Sequence, residues 1–106
     1  MRNGNGNGAV DGEGTTASVV LTNAVGLHAR PSVKLTKLAK KFAARIELAP
    51  AADGPWIDAK SIVRVMGLKL REGSTVHFRA LGPDAPAAID ALVGLVKRDF
   101  DEHSAA

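Results

Sequence analysis

A chain of 106 residues has room for one hydrophobic core, and with no Cys that core is built without disulfides, thiol chemistry or a Cys-based zinc site. Its 14 Lys and Arg against 11 Asp and Glu leave a formal charge of +3, a mild preference for acidic partners that is too small to argue for nucleic acid. The Met1 end lacks the charged-then-apolar pattern of a secretory signal and no apolar run approaches membrane-spanning length, so a soluble protein of the cytoplasm, not inserted in a membrane, is expected.

From Met1 to Gly14 the chain is mostly Asn, Gly and other small residues, with Val10 its only sizeable apolar side chain besides Met1, and cannot bury enough surface to offset ordering entropy; residues 1–14 read as a disordered tail. Thr15 to Thr22 alternates, with Val19 and Leu21 on one face, as a half-buried strand does. Asn23 to Leu27 is a turn, in which Gly26 suits a bend with positive φ. Pro31 has the φ that a first helical turn accepts and no N–H to waste, so His28 falls where a helix begins. Unpartnered N–H groups and aligned peptide dipoles make such a position hospitable to an anion, and Arg30 adds a cationic fork that matches phosphate oxygens. An imidazole beside a phosphate cradle can take a phosphoryl group covalently and release it again.

Between Pro31 and Phe42, Leu35, Leu38, Ala39 and Phe42 recur at helical spacing, with Lys34, Lys37, Lys40 and Lys41 on the other faces. Val33 falls opposite the apolar stripe and is expected to be exposed beside the lysines. Ala44 to Leu48 alternates again, Pro50 to Pro55 is turn chemistry, and Trp56 to Ala59 is a short returning strand, with Trp56 expected to cover the edge of the core. Lys60 to Leu70 is denser in apolar residues than one buried face requires. Ile62, Val63 and Met66 are therefore expected to lie partly exposed near Val33, an apolar centre ringed by Lys37, Lys40, Lys60 and Arg64. Ser61 has the side chain of an N-cap.

Glu72 to Ser74 turns the chain into a strand over Thr75 to Leu81, with Val76, Phe78 and Ala80 inward and His77 on the solvated side. Asp84 is placed to cap a last helix whose stripe is Ile89, Leu92, Val93, Val96 and Phe100, and the chain is expected to fray from Asp101. The domain thus spans residues 15–101, with a frayed end over 102–106 that includes His103. The three histidines show no metal-ligand spacing, and neither a metal nor another cofactor is expected. The order strand, helix, strand, strand, helix, strand, helix, with one apolar face per strand, demands a sheet covered on one side by helices, an α+β two-layer domain.

Gly26-Leu27-His28-Ala29-Arg30-Pro31 resembles the active-site signature of the histidine-containing phosphocarrier (HPr) family of the bacterial phosphoenolpyruvate-dependent phosphotransferase system. Ala59-Lys60-Ser61-Ile62-Val63-Arg64-Val65-Met66 resembles the same family's regulatory-serine region, and the likeness runs from about Ala17 to Phe100. The resemblance implies an open-faced sandwich of a four-stranded antiparallel sheet with three helices on one face. It implies a monomeric carrier rather than an enzyme, phosphorylated on His28 Nδ1 with Arg30 stabilising the phosphate. Its donor is expected to be the phosphoenolpyruvate-protein phosphotransferase (enzyme I) and its acceptors enzyme IIA-type proteins, with Ser61 the site of a regulatory serine kinase and phosphorylase. The docking surface is expected over Val33, Lys37, Lys40, Lys60, Ile62, Val63, Arg64 and Met66. Val25, Val33, Trp56 and the region after Met66 depart from the family's usual pattern, differences that bear on partner choice more than on chemistry. The alternative is a regulatory HPr-like binding module, in a nitrogen-branch or dihydroxyacetone-type phosphorelay, that is controlled by phosphorylation. A nucleic-acid-binding role is disfavoured by the few aromatics and the absence of an RNA-binding motif.

Overall fold

The computed structural model describes residues 14–102. Alternation of side chains builds strand β1 over Gly14–Val20, β2 over Arg45–Ala49, β3 over Ile57–Asp58 and β4 over Thr75–Leu81, while the helical periods give α1 over Ala29–Ala39, α2 over Ile62–Gly67 and α3 over Ala85–Lys97. A 3-10 turn over Asp99–Asp101 follows. The strands pair antiparallel in the order β1-β4-β2-β3. The register sets Phe78 between Ala17 and Leu48, and Ala80 beside Ile46, so one face of the sheet is continuously apolar. The three helices cover that face.

The core is Leu21, Leu35, Ile46, Leu48, Phe78, Leu92, Val96 and Phe100 with smaller neighbours, all essentially without solvent contact. Burying each large side chain contributes roughly 1.5–3 kcal/mol against the ordering entropy of the chain. In α3 the small residues Ala85 and Ala88 share the buried stripe with Ile89, Leu92, Leu95 and Val96, and the helix lies directly on β1 and β4.

Several expectations are corrected. Helix α1 begins at Ala29 rather than Pro31, with His28 as its N-cap, because Pro31 occupies the last place in the first turn that needs no N–H; the first helical bond runs from Ser32 N to His28 O at 2.9 Å. It ends at Ala39, not Phe42. Helix α2 is shorter than Lys60 to Leu70 because Lys69 turns left-handed, with φ +54. Val33 is half-buried rather than exposed, since α1 is flanked by α2 on one side and α3 on the other. Trp56 does not cover the core edge: Ile57 takes the inward position opposite Leu48, so alternation sends Trp56 to the outer face of the sheet, where the Arg79 guanidinium lies 4.2 Å from its ring centre. Asp84 stands before α3 but makes no side-chain cap. Its two carboxylate oxygens accept from Ala43 N and Ala44 N at 2.8 Å each and tie the start of α3 to the loop before β2.

Of the tail expected over residues 1–14, only Gly14 is described, as the first residue of β1; the remainder, like His103 and the rest of the 102–106 end beyond Glu102, lies outside the described residues. Glu102 itself is not frayed. It is held against the start of α1, as set out below.

Candidate functional site

The site is built where the β1–α1 loop meets the connection between α2 and β4. Asn23 closes the loop by accepting from Gly26 N at 3.2 Å and donating its Nδ2 to Gly26 O at 2.9 Å. Gly26 has φ +61, and a Cβ there would lie 2.3 Å from Leu70 O, so both the backbone conformation and the close approach require glycine. That approach lets Leu27 N donate to Leu70 O at 2.9 Å, and Ser32 Oγ donates to Leu27 O at 3.0 Å from inside α1. The Leu27 side chain is buried in the core, which anchors the next residue.

His28 therefore emerges from a fixed backbone, exposed, at the N-cap of α1 with extended φ and ψ and no capping bond from its side chain. The N–H groups of Ala29 and Arg30 have no helical acceptor by position, and the positive end of the helix faces the same way. On its other side His28 opens onto a shallow hollow of about 340 Å³ lined by Leu27, Met66, Lys69, Leu70 and Arg71. A separate hollow on the outer sheet face, between Thr15, Thr16, Arg45, Glu47, Arg79 and Leu81, contains no histidine, and Arg79 and Arg45 there both pair with Glu47.

Arg30 is exposed, but its guanidinium is engaged. It pairs with Glu102 at 3.2 Å, and the same carboxylate takes the Lys34 ammonium. The Lys34 hydrogen bond holds the Glu102 carboxyl below its ordinary pKa, a shift that desolvation opposes and the charges of Arg30 and Lys34 reinforce. What delivers Glu102 is the left-handed turn before it: Asp99, Phe100 and Asp101 have φ of 53, 58 and 58. Such a conformation costs on the order of 1–2 kcal/mol per residue. It is held by the full burial of Phe100, by Thr22 Oγ1 donating to the Asp99 carboxylate, by Lys34 Nζ donating to Phe100 O at 2.9 Å, and by the Arg98–Asp101 pair at 2.9 Å.

The remaining expected residues fall as follows. Ser61 is the N-cap of α2, its Oγ accepting from Arg64 N at 3.3 Å, in a hollow shared with Trp56, Ile57, Asp58 and Arg64. Val63 is 77% exposed and Met66 38% exposed, with Ile62 half-buried beside them. Met66 belongs both to this apolar surface and to the His28 hollow. Lys37, Lys40 and Arg64 are exposed, but Lys60 is not a free rim charge: its ammonium donates to Phe42 O at 2.8 Å. His77 sits half-buried in mid-strand on the outer face, opposite Ser18 and Ala49. Lys69, Arg71 and Glu102 are the site residues that sequence reasoning missed; the alternation Lys69-Leu70-Arg71 was the available signal for two of them, and Glu102 carried none. Among the described residues no group of three or more His, Asp or Glu is placed to hold a metal ion, and no helix is long and apolar enough to cross a membrane.

Residues 15–98 match the family profile described as PTS HPr component phosphorylation site. The chain is 44% identical over 82 residues to the phosphocarrier protein HPr of Cupriavidus necator, covering 77% of this chain and 90% of that protein. It is 33% identical over 85 residues to the phosphocarrier protein NPr of Escherichia coli K12, covering 80% of this chain and 93% of that one. Its fold is similar to the crystal structure of HPr-C-His from Thermoanaerobacter tengcongensis, with a TM-score of 0.77, 35% identity, and coverage of 84% of this chain and 98% of that one.

Proposed function

The chain belongs to the PTS HPr family and is a phosphocarrier of the phosphotransferase system, and we propose that His28 is the residue on which it carries the phosphoryl group. The observation that supports this assignment is the placing of His28 alone among the described histidines, exposed at a helix start with two unused N–H groups beside it. The imidazole lone pair forms the new P–N bond as the donor's bond to phosphorus breaks, and the electron pair of that bond stays with the donor. Such a transfer needs alignment and charge neutralisation more than acid–base machinery. By the family resemblance the reacting nitrogen is Nδ1, the donor is the phosphoenolpyruvate-protein phosphotransferase, and the acceptors are enzyme IIA-type proteins.

Partners of that kind dock, in this reading, on the apolar surface of Ile62, Val63 and Met66 with Val33 at its margin, inside the charges of Lys37, Lys40 and Arg64. Exposed apolar area bordered by cations is the arrangement expected for an acidic partner. Ser61, at the edge of that surface, is the proposed regulatory phosphorylation site.

The test is incubation with phosphoenolpyruvate and the upstream enzyme, reading the phosphorylated fraction and its acid lability. His28→Ala is expected to stay folded and accept nothing, and His77→Ala to accept normally. Acceptance by His28→Ala equal to wild type, through a bond that survives acid, would overturn the assignment and point to Ser61.

A further inference from the structure

Resting on the reading of His28 as the carrier residue, we propose that Lys69 and Arg71 hold the phosphoryl group once it is bonded to His28, so that its charge is met from the connection between α2 and β4 and not from Arg30 alone. Both residues line the hollow onto which His28 opens. Their backbone is locked to the histidine loop: Leu27 N donates to Leu70 O at 2.9 Å, and Gly26 is packed so closely on Leu70 and Arg71 that it has no room for a Cβ. The backbone that carries the two cations cannot move away from His28 without breaking that lock.

Charge accounting favours the same pair. Arg30 and Lys34 share the carboxylate of Glu102, leaving that side of His28 with a net single positive charge. Lys69 and Arg71 are exposed and make no ion pair among the described residues, so two positive charges face a group that brings nearly two negative ones. Glu72 follows Arg71 but does not line the hollow. Lys69 also has φ +54, a left-handed conformation that favours glycine at the residue after a helix; here a lysine bears the strain at the mouth of the site. A cation past the end of α2 is favourable in itself, but that accounts for neither Arg71 nor the shared hollow.

The test needs no partner protein. The full chain and its variants are treated with phosphoramidate, which gives its phosphoryl group to an imidazole nitrogen and leaves as ammonia, and the phosphorus resonance of the product is followed against pH. Removing two facing cations disfavours the dianion, so K69G/R71Q is expected to raise the second phosphate pKa by about half a unit or more, allowing for solvent screening. R71K keeps the charge and is expected to titrate like wild type, as is K41Q, which removes an exposed charge just past the end of α1 opposite His28. Lys69→Gly relieves the left-handed strain, so its thermal midpoint is expected at or above that of wild type. A phosphoryl group on His28 that titrates identically in wild type and K69G/R71Q overturns this proposal and leaves the carrier assignment standing. An equal shift in K41Q also overturns it, as an effect of net charge. Labelling of His28→Ala to the same extent and at the same rate as wild type removes the carrier assignment and this proposal together.

Discussion

The Glu102 carboxylate lies 3.2 Å from the Arg30 guanidinium, so the cation beside His28 is already paired with an anion from the far end of the chain. On the proposed carrier role, a phosphoryl group arriving on His28 competes with Glu102 for it. Glu102→Gln is expected to free Arg30 and speed phosphoryl acceptance severalfold, measured as the initial rate with the upstream enzyme; an unchanged or slower rate contradicts competition. The same variant tests the pKa direction. Because the folded-state pKa of Glu102 is depressed, its contribution to stability is fully present above the ordinary carboxylate range and is lost as pH falls through the lower folded value. The difference in thermal midpoint between wild type and Glu102→Gln should therefore be present at neutral pH and vanish in acid below that range. A difference that persists or grows in acid has the wrong sign.

Gly26 carries the geometry of the site. Gly26→Ala must place a Cβ 2.3 Å from Leu70 O at φ +61, so either the Leu27–Leu70 bond breaks or the loop moves. A loss of roughly 1–3 kcal/mol in denaturant unfolding is expected, with slower phosphoryl acceptance. Wild-type stability in Gly26→Ala would show that the loop is not locked.

The cap at Ser61 and its proposed regulatory role are separable. Ser61→Ala removes the bond to Arg64 N and should cost about 1 kcal/mol with little effect on acceptance. Ser61→Asp keeps an acceptor at the cap, so folding should survive, while the added negative charge at the docking surface lowers the rate of acceptance. Equal rates in Ser61→Asp and wild type would leave Ser61 as a cap alone.

The proposed docking surface predicts a division among the basic residues. Reversing Lys37 or Arg64 to Glu should weaken association with the upstream enzyme and flatten its salt dependence, with unfolding unchanged. Lys60→Glu should instead lower stability, because its ammonium is bonded to Phe42 O. Binding measured across a salt series, set beside thermal midpoints, separates the two; equal affinity for wild type and the double reversal Lys37→Glu/Arg64→Glu removes the surface.

What the sequence by itself determined is what acts over a few residues. The strand over Thr75–Leu81 was legible because alternation has a period of two, the buried faces of α1 and α3 because apolar residues recur at helical spacing, and the Ser61 cap because a hydroxyl at a helix start has one obvious acceptor role. His28 could be set at a helix start because Gly26 and Pro31 constrain their own backbone. Only the tertiary structure decided which charges surround it. Lys69 and Arg71 share a hollow with His28 because Gly26 packs on Leu70, and Arg30 is occupied because the turn around Phe100 folds Glu102 back onto α1. Trp56 faced outward and Asp84 bonded a distant loop for the same kind of reason. Propensity and periodicity say which face of an element is buried, whereas a bond such as Lys34 to Phe100, 66 residues apart, depends on the sheet register and the length of α3 that carry those residues together.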